Sequence, residues 1–315
     1  MKMIRPLSNP SRSSIDLPAL IAALLLVTAP SRADIIYVSN WNNSTIEKFD
    51  SRTGSSLGIF AHVQGPRGVA LDSSGNLYVV GYSDQEILKY TPAGAVSVFA
   101  NIFSSHGEGL AFDSAGNLFM ADFQASTITR FTPGGVSSIF AHTGLNQPYG
   151  LAFDSSGNLY AANMAGNSIE KFTTSGIGSL FATGLSGPIG LAFDNGGNLY
   201  AANYSGGNIQ KFTPGGSGSI FGTGLADPSG LAFDSAGNLY AADQWAPPNY
   251  GKVIKFTPDG VGSVFASTPY SGPVYIAIQV PEPSAVVLLT LALPAVLALR
   301  RRASAPIRWL ALLAV

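Results

Sequence analysis

Few side chains in this sequence can do chemistry. The 315 residues contain three histidines, His62, His106 and His142, and no cysteine. Thiolate nucleophiles, thiolate metal sites and disulfides are therefore excluded. His106 stands two residues before Glu108, and they form the one pair suited to general acid/base work. A metal-dependent enzyme built on them would need a zinc or magnesium ion with further ligands converging on it. The competing reading puts His106 in a surface loop and pairs Glu108 with Arg67. His62 and His142 both end the tripeptide Phe-Ala-His, at equivalent places of two different units. No Gly-x-Ser-x-Gly elbow, phosphate loop or His-Glu-x-x-His is present, and nothing calls for a cofactor.

Asp-x-x-Gly-Asn segments begin at Asp72, Asp113, Asp154, Asp194 and Asp234. They hold oxygen ligands of the kind calcium takes, but each belongs to a separate unit. Asp and Gly are what such a turn requires anyway, so these segments read as structural. Lys48, Lys89, Arg130, Lys171, Lys211 and Lys255 each precede an aromatic residue. They read as long stems lying along a sheet with solvated heads. A third set pairs a polar or small residue with a large one: Asn40-Trp41, Gly81-Tyr82, Asp122-Phe123, Asn163-Met164, Asn203-Tyr204 and Asp243-Gln244-Trp245. Aromatic faces beside amide and carboxylate edges suit a sugar ring or an extended peptide. The same rings would serve equally as packing between neighbouring units.

These residues must be positioned by a repeat. Gly68, Gly109, Gly150, Gly190 and Gly230 each open a near copy of GLAFDSAGNLYAA, at spacings of 41, 41, 40 and 40 residues. Each unit contains four short apolar runs, such as GLAFD, NLYAAN, SIEKF and GSLFA, separated by turn sequences such as Thr-Pro-Gly-Gly. Nothing between residues 34 and 280 has helical length or period. Four strands per forty residues make the blade of an all-β propeller. Residues 35–60 supply strands two to four of a further unit, and residues 271–278 supply its first strand. Together they complete a sixth blade, which closes the ring and removes exposed sheet edges. A closed ring needs no partner, so a monomer is expected.

The pattern P-x-G-L-A-F-D-x-x-G-N-L-Y-A-A-(N/D), followed by I-x-K-F, resembles the NHL repeat family of six-bladed propellers over nearly all of 34–280. The first strand of each blade should line the central channel, with its start at the mouth where propeller ligands sit. The variable mouth positions are then Arg67, Glu108, Tyr149, Ile189, Ser229 and Val274. Related gluconolactonase-like propellers place metal ligands at such positions, and here only Glu108 would serve. Such propellers host enzymes, binders and scaffolds alike.

The two ends read as addresses. A basic segment, an apolar run from Leu17 to about Thr28, and Ser31-Arg32-Ala33 form a signal peptide over residues 1–33, cleaved after Ala33. Residues 281–302 contain Pro281-Glu282-Pro283, an apolar stretch from Ala285 to Leu299, and Arg300, Arg301 and Arg302. That order resembles the PEP-CTERM sorting signal of Gram-negative bacteria. The resemblance implies an exosortase-type processing partner, a transient membrane segment, and delivery to the cell envelope or beyond. Residues 303–315 extend past the usual end of such a signal. Between residues 34 and 280, nine Lys/Arg face sixteen Asp/Glu, a net of −7. An acidic body repels phosphate backbones, so nucleic acid is not an expected partner. The sorting-signal resemblance, through its association with exopolysaccharide-producing bacteria, implies an exported binding module for an extracellular polymer, above all polysaccharide. The alternatives are a metal-dependent lyase or lactonase using His106 and Glu108, and a protein-interaction scaffold.

Overall fold

The computed structural model describes residues 33–102, 106–245, 251–268 and 272–280. Residues 1–32, the sorting motif with its apolar and basic segments, and the tail to residue 315 lie outside the described residues. Among the described residues no helix is long and apolar enough to cross a membrane.

The protein is a six-bladed β-propeller. Six antiparallel sheets of four strands each are arranged in a ring. The inner strands of five blades are Pro66–Leu71, Gly107–Phe112, Pro148–Phe153, Pro188–Phe193 and Pro228–Phe233, and we number these blades one to five. The closing blade takes its inner strand from the far end of the domain. Pro273–Gln279 pairs antiparallel with Ile35–Asn40, matching Ile36 with Ile278 and Val38 with Ile276. Thr45–Asp50 and Ser56–His62 complete that sheet.

The core lies between blades. The second strand of every internal blade is buried on both faces, so it reads as an apolar run without alternation. In blade three, Tyr160 meets Phe181 and Phe193 edge-to-face, each with ring centroids 5.0 Å apart. Tyr78, Phe119 and Tyr200 repeat this packing. A bulge in each outer strand delivers the second of these rings. Ile169 pairs with Ala182 and Glu170 with Leu180, which leaves Phe181 as the extra residue. Its ring turns inward toward Phe212 of the next blade. The outer strands contain no Lys, Arg, Asp or Glu, so this bulge also twists an uncharged edge away from regular pairing.

The Asp-x-x-Gly-Asn turns are structural, and they recruit the lysines. Asp154 Oδ1 accepts from the N–H groups of Ser156 and Asn158 at 2.9 and 2.8 Å. Its Oδ2 accepts from Asn158 Nδ2 at 2.8 Å and lies 3.7 Å from Lys171 Nζ. Lys171 also sits 5.2 Å over the Tyr160 ring. The same ion pair and ring contact recur at Lys89, Lys211 and Lys255. Their heads are therefore held by carboxylate and ring at a partly exposed surface.

Burial would raise the carboxyls of Asp72, Asp154 and Asp194. The hydrogen bonds from the turn and the nearby lysine outweigh it and hold all three below the ordinary range. The native state then binds protons more weakly than the unfolded chain, whose Asp titrates near about 3.9. This contribution is complete above that value and is lost as pH falls through the lower native one. Urea midpoints should accordingly drop between pH 5 and 3, and a flat profile would show that the turns add no net stability.

At the axis the inner strands approach so closely that only glycine fits. A Cβ on Gly190 would lie 2.0 Å from the Ser229 carbonyl oxygen, and one on Gly150 2.0 Å from that of Ile189. Neither neighbour is a movable side chain. Gly190→Ala should cost roughly 1–3 kcal/mol or more, whereas Gly134→Ala, whose nearest atom is 3.9 Å away, should stay within about 0.5 kcal/mol. Denaturant midpoints of the two variants decide the matter; equal midpoints would contradict the close approach.

Candidate mouth site

The same closeness determines what can occupy the channel mouth. Five of the six inner strands carry glycine at the tight position, and the sixth carries Tyr275. Gly230 faces it directly, since a Cβ there would lie 2.6 Å from Tyr275 Cα. The Tyr275 side chain is buried, and its hydroxyl donates to Glu108 Oε2 at 3.5 Å. Its backbone N–H donates to Ser39 Oγ at 3.0 Å. Aligning SGPVYIAI with SGPIGLAF sets Tyr275 opposite Gly190, so the sequence carries the signal one residue after the mouth position Val274. Val274 itself is buried in the core.

Glu108 is fully buried. Loss of water pushes its carboxyl up to about 7, against the pull of Arg67 and the Tyr275 hydrogen bond, with the charge of Asp122 adding to the rise. Arg67 Nε lies 3.7 Å from Glu108 Oε1, yet neither atom has a hydrogen-bond partner. The Arg67 guanidinium carbon instead sits 3.8 Å over the Trp41 ring centroid and 5.3 Å from that of Tyr82. Tyr149 is half-buried, and its hydroxyl is pushed up to about 12 by burial and then by the charge of Glu108.

Around this group the aromatic residues form an arc. Trp41 meets Tyr82 at 5.1 Å, Tyr82 meets His106 at 5.7 Å, and His106 meets Phe123 at 5.1 Å, all edge-to-face. Phe123 then lies 5.4 Å from Tyr149, tilted by 31°. The arc crosses the closing blade and blades one to three, and every ring in it is half-buried. Tyr204 on blade four is also half-buried and near enough for its phenol to act on that of Tyr149. Trp245 on blade five is exposed, beside residues 246–250 outside the described residues. His106 joins the ring without a counterpart in the repeat, since no other blade has an aromatic at that position.

The polar members of the Asn/Asp pairs do not face the mouth as a ring of amides. Asp122 Oδ1 accepts from the N–H groups of Gln124 and Ala125 at 3.1 and 2.8 Å. Asn163 accepts from the Asn146 N–H at 3.1 Å and donates to the Gly144 carbonyl at 2.9 Å. Asn203 and Asp243 likewise fasten the loops that lead into their own blades' inner strands, through Ser186, Ala226 and Asp227. The Ser229 hydroxyl lies 3.3 Å from the Pro273 carbonyl, and Ile189 is buried. Mouth chemistry thus gathers on Arg67, Glu108, Tyr149 and Tyr275. Among the described residues no three of His, Asp and Glu converge as a metal site requires.

With this geometry in place, known proteins can be set beside the chain. A beta-propeller repeat family matches residues 65–89. No curated protein matches the sequence. Among solved structures, a chain of a nidogen/laminin complex is 21% identical with a TM-score of 0.70, covering 78% of this chain and 98% of its own. Virginiamycin B lyase from Staphylococcus aureus is 17% identical with a TM-score of 0.56, covering 77% and 78%. A putative gluconolactonase is 17% identical with a TM-score of 0.58, covering 68% and 85%. At these identities the likeness is one of fold. The shared fold is the propeller.

The balance at Glu108 is testable. Arg67→Leu removes the nearest stabilising charge, so the carboxyl should titrate above about 7, and Tyr275→Phe should move it the same way. Carboxyl-carbon NMR of Glu108 across pH 4–9 reads both, and a downward move in either variant would refute this account of its environment.

Proposed function

We propose that the chain is an exported, non-catalytic binding module of the NHL type that takes an extracellular polysaccharide at the propeller mouth. The unbroken arc of half-buried rings from Trp41 to Tyr149 carries this reading. Sugar rings need flat apolar platforms with a few oriented polar groups, and the arc surrounds such a group in Arg67 and Glu108. Export follows from the N-terminal pattern and from the PEP-CTERM order of Pro281-Glu282-Pro283, the apolar stretch and Arg300–Arg302. The propeller is consistent with a mature start at Asp34, whose carboxylate accepts from the Ser235 N–H and hydroxyl at 3.1 and 2.9 Å.

One observation favours a second reading. A carboxyl near 7 is matched to proton transfer at neutral pH, and lyases occur among the neighbours in fold. In that case Glu108 would act with His106, although it lies under Arg67 and against Tyr275.

Residues 34–280 contain two tryptophans, Trp41 and Trp245. Titrating that ring-closed propeller with polysaccharide from the source cells should give a saturable fluorescence shift. Trp41→Ala with Trp245→Ala should weaken binding at least tenfold by calorimetry while leaving circular dichroism unchanged. Unaltered binding in that variant would remove the mouth from consideration. Stoichiometric metal in the purified protein, with turnover lost in Glu108→Gln, would favour the enzyme.

A further inference from the structure

Resting on the mouth as a polysaccharide site, we infer that its ligand is an acidic polysaccharide, and that Arg67 is the residue that selects it by gripping a sugar carboxylate. Arg67 brings five N–H donors on a rigid plane. Among the described residues it makes one ion pair and two ring contacts, and its buried Nε has no hydrogen-bond partner. The Trp41 ring at 3.8 Å and the Tyr82 ring at 5.3 Å hold the guanidinium in place. The ordering cost of a rotamer-rich side chain is therefore met before any ligand arrives. A carboxylate matches that plane with two parallel hydrogen bonds. A neutral sugar would leave the charge unanswered, and a cationic ligand would be repelled.

Glu108 lies behind the guanidinium as an internal competitor. The groups facing it are Arg67 from blade one, Asp122 from blade two, Tyr149 from blade three and Tyr275 from the closing blade. When Glu108 is ionised, it neutralises Arg67 from below. When it is protonated, the cation is left to the ligand. Because Glu108 titrates at about 7, an acidic sugar, still ionised at pH 6, should bind more tightly at pH 6 than at pH 8. The aromatic arc meanwhile supplies platforms for the sugar faces on either side of the carboxylate.

The test uses the propeller of residues 34–280, which the pairing of Pro273–Gln279 with Ile35–Asn40 closes on itself. Calorimetry at fixed salt would compare polygalacturonate, neutral dextran and polyglutamate at pH 6 and 8. Polygalacturonate should bind up to about tenfold more tightly at pH 6 than at pH 8. Glu108→Gln should hold that tighter value at both pH values. Arg67→Lys, which keeps the charge and loses the planar fork, should weaken polygalacturonate by about tenfold or more and leave dextran unchanged. Equal binding of dextran and polygalacturonate, indifferent to Arg67, would overturn the acidic ligand and leave the polysaccharide reading standing. Binding of neither sugar would overturn both. Polyglutamate binding as tightly as polygalacturonate would reassign the site to acidic peptide and end the proposal.

Discussion

The contact on which the whole mouth depends is backbone on backbone at the axis. Five of the six inner strands set a glycine Cα against the backbone of the next blade, with no room for a Cβ at Gly68, Gly109, Gly150 or Gly190. Tyr275 stands at the one inner-strand position where glycine is missing, and its buried side chain brings a hydroxyl to 3.5 Å from the equally buried Glu108 Oε2. The perturbed carboxyl thus sits against the one departure from the repeat in the strand that closes the ring.

Such a carboxyl is expensive. Raising it from the ordinary range to about 7 corresponds to roughly 3 kcal/mol between its charged and neutral forms. Its linkage to stability runs opposite to that of the turn aspartates. The native state holds the Glu108 proton more tightly than the unfolded chain, so its contribution declines as pH rises from the ordinary range toward about 7. A leucine there would avoid the expense. Groups kept at such cost in a concave site are where function is sought first. The stacking of Arg67 on Trp41 explains how the pair persists: the rings hold the guanidinium where no hydrogen bond to Glu108 does.

Much of this was legible in the amino-acid pattern. The blade count, the shared sixth blade and the placing of Arg67, Glu108 and Tyr149 at the mouth all follow from aligning near-identical units, because local turn chemistry and apolar runs fix strands directly. Three features depended on register instead. Lys171 meets the Asp154 turn because it pairs with Tyr160 across the hairpin, and its sequence neighbours say nothing of that. The side chains of Asn163, Asn203 and Asp243 turn back to the loops leading into their own blades, and that of Asp122 to the loop after it, a choice that only the packed geometry reveals. Tyr275 stood in plain view opposite a glycine, but a reading that treats six positions as equivalent looks at Val274 and misses the residue beside it.

In an array of near copies, residues common to all units are fixed by packing, and function must be carried where the units differ. At the mouth the differences are uneven. Blades four and five offer Ile189, buried, and Ser229, which is tied to the backbone. The closing blade and blades one to three bring Tyr275, Trp41, Arg67, Tyr82, His106, Glu108, Phe123 and Tyr149. On the proposed reading a polymer would follow the arc of rings from Trp41 to Tyr149, with its register set by the Arg67 cation among them.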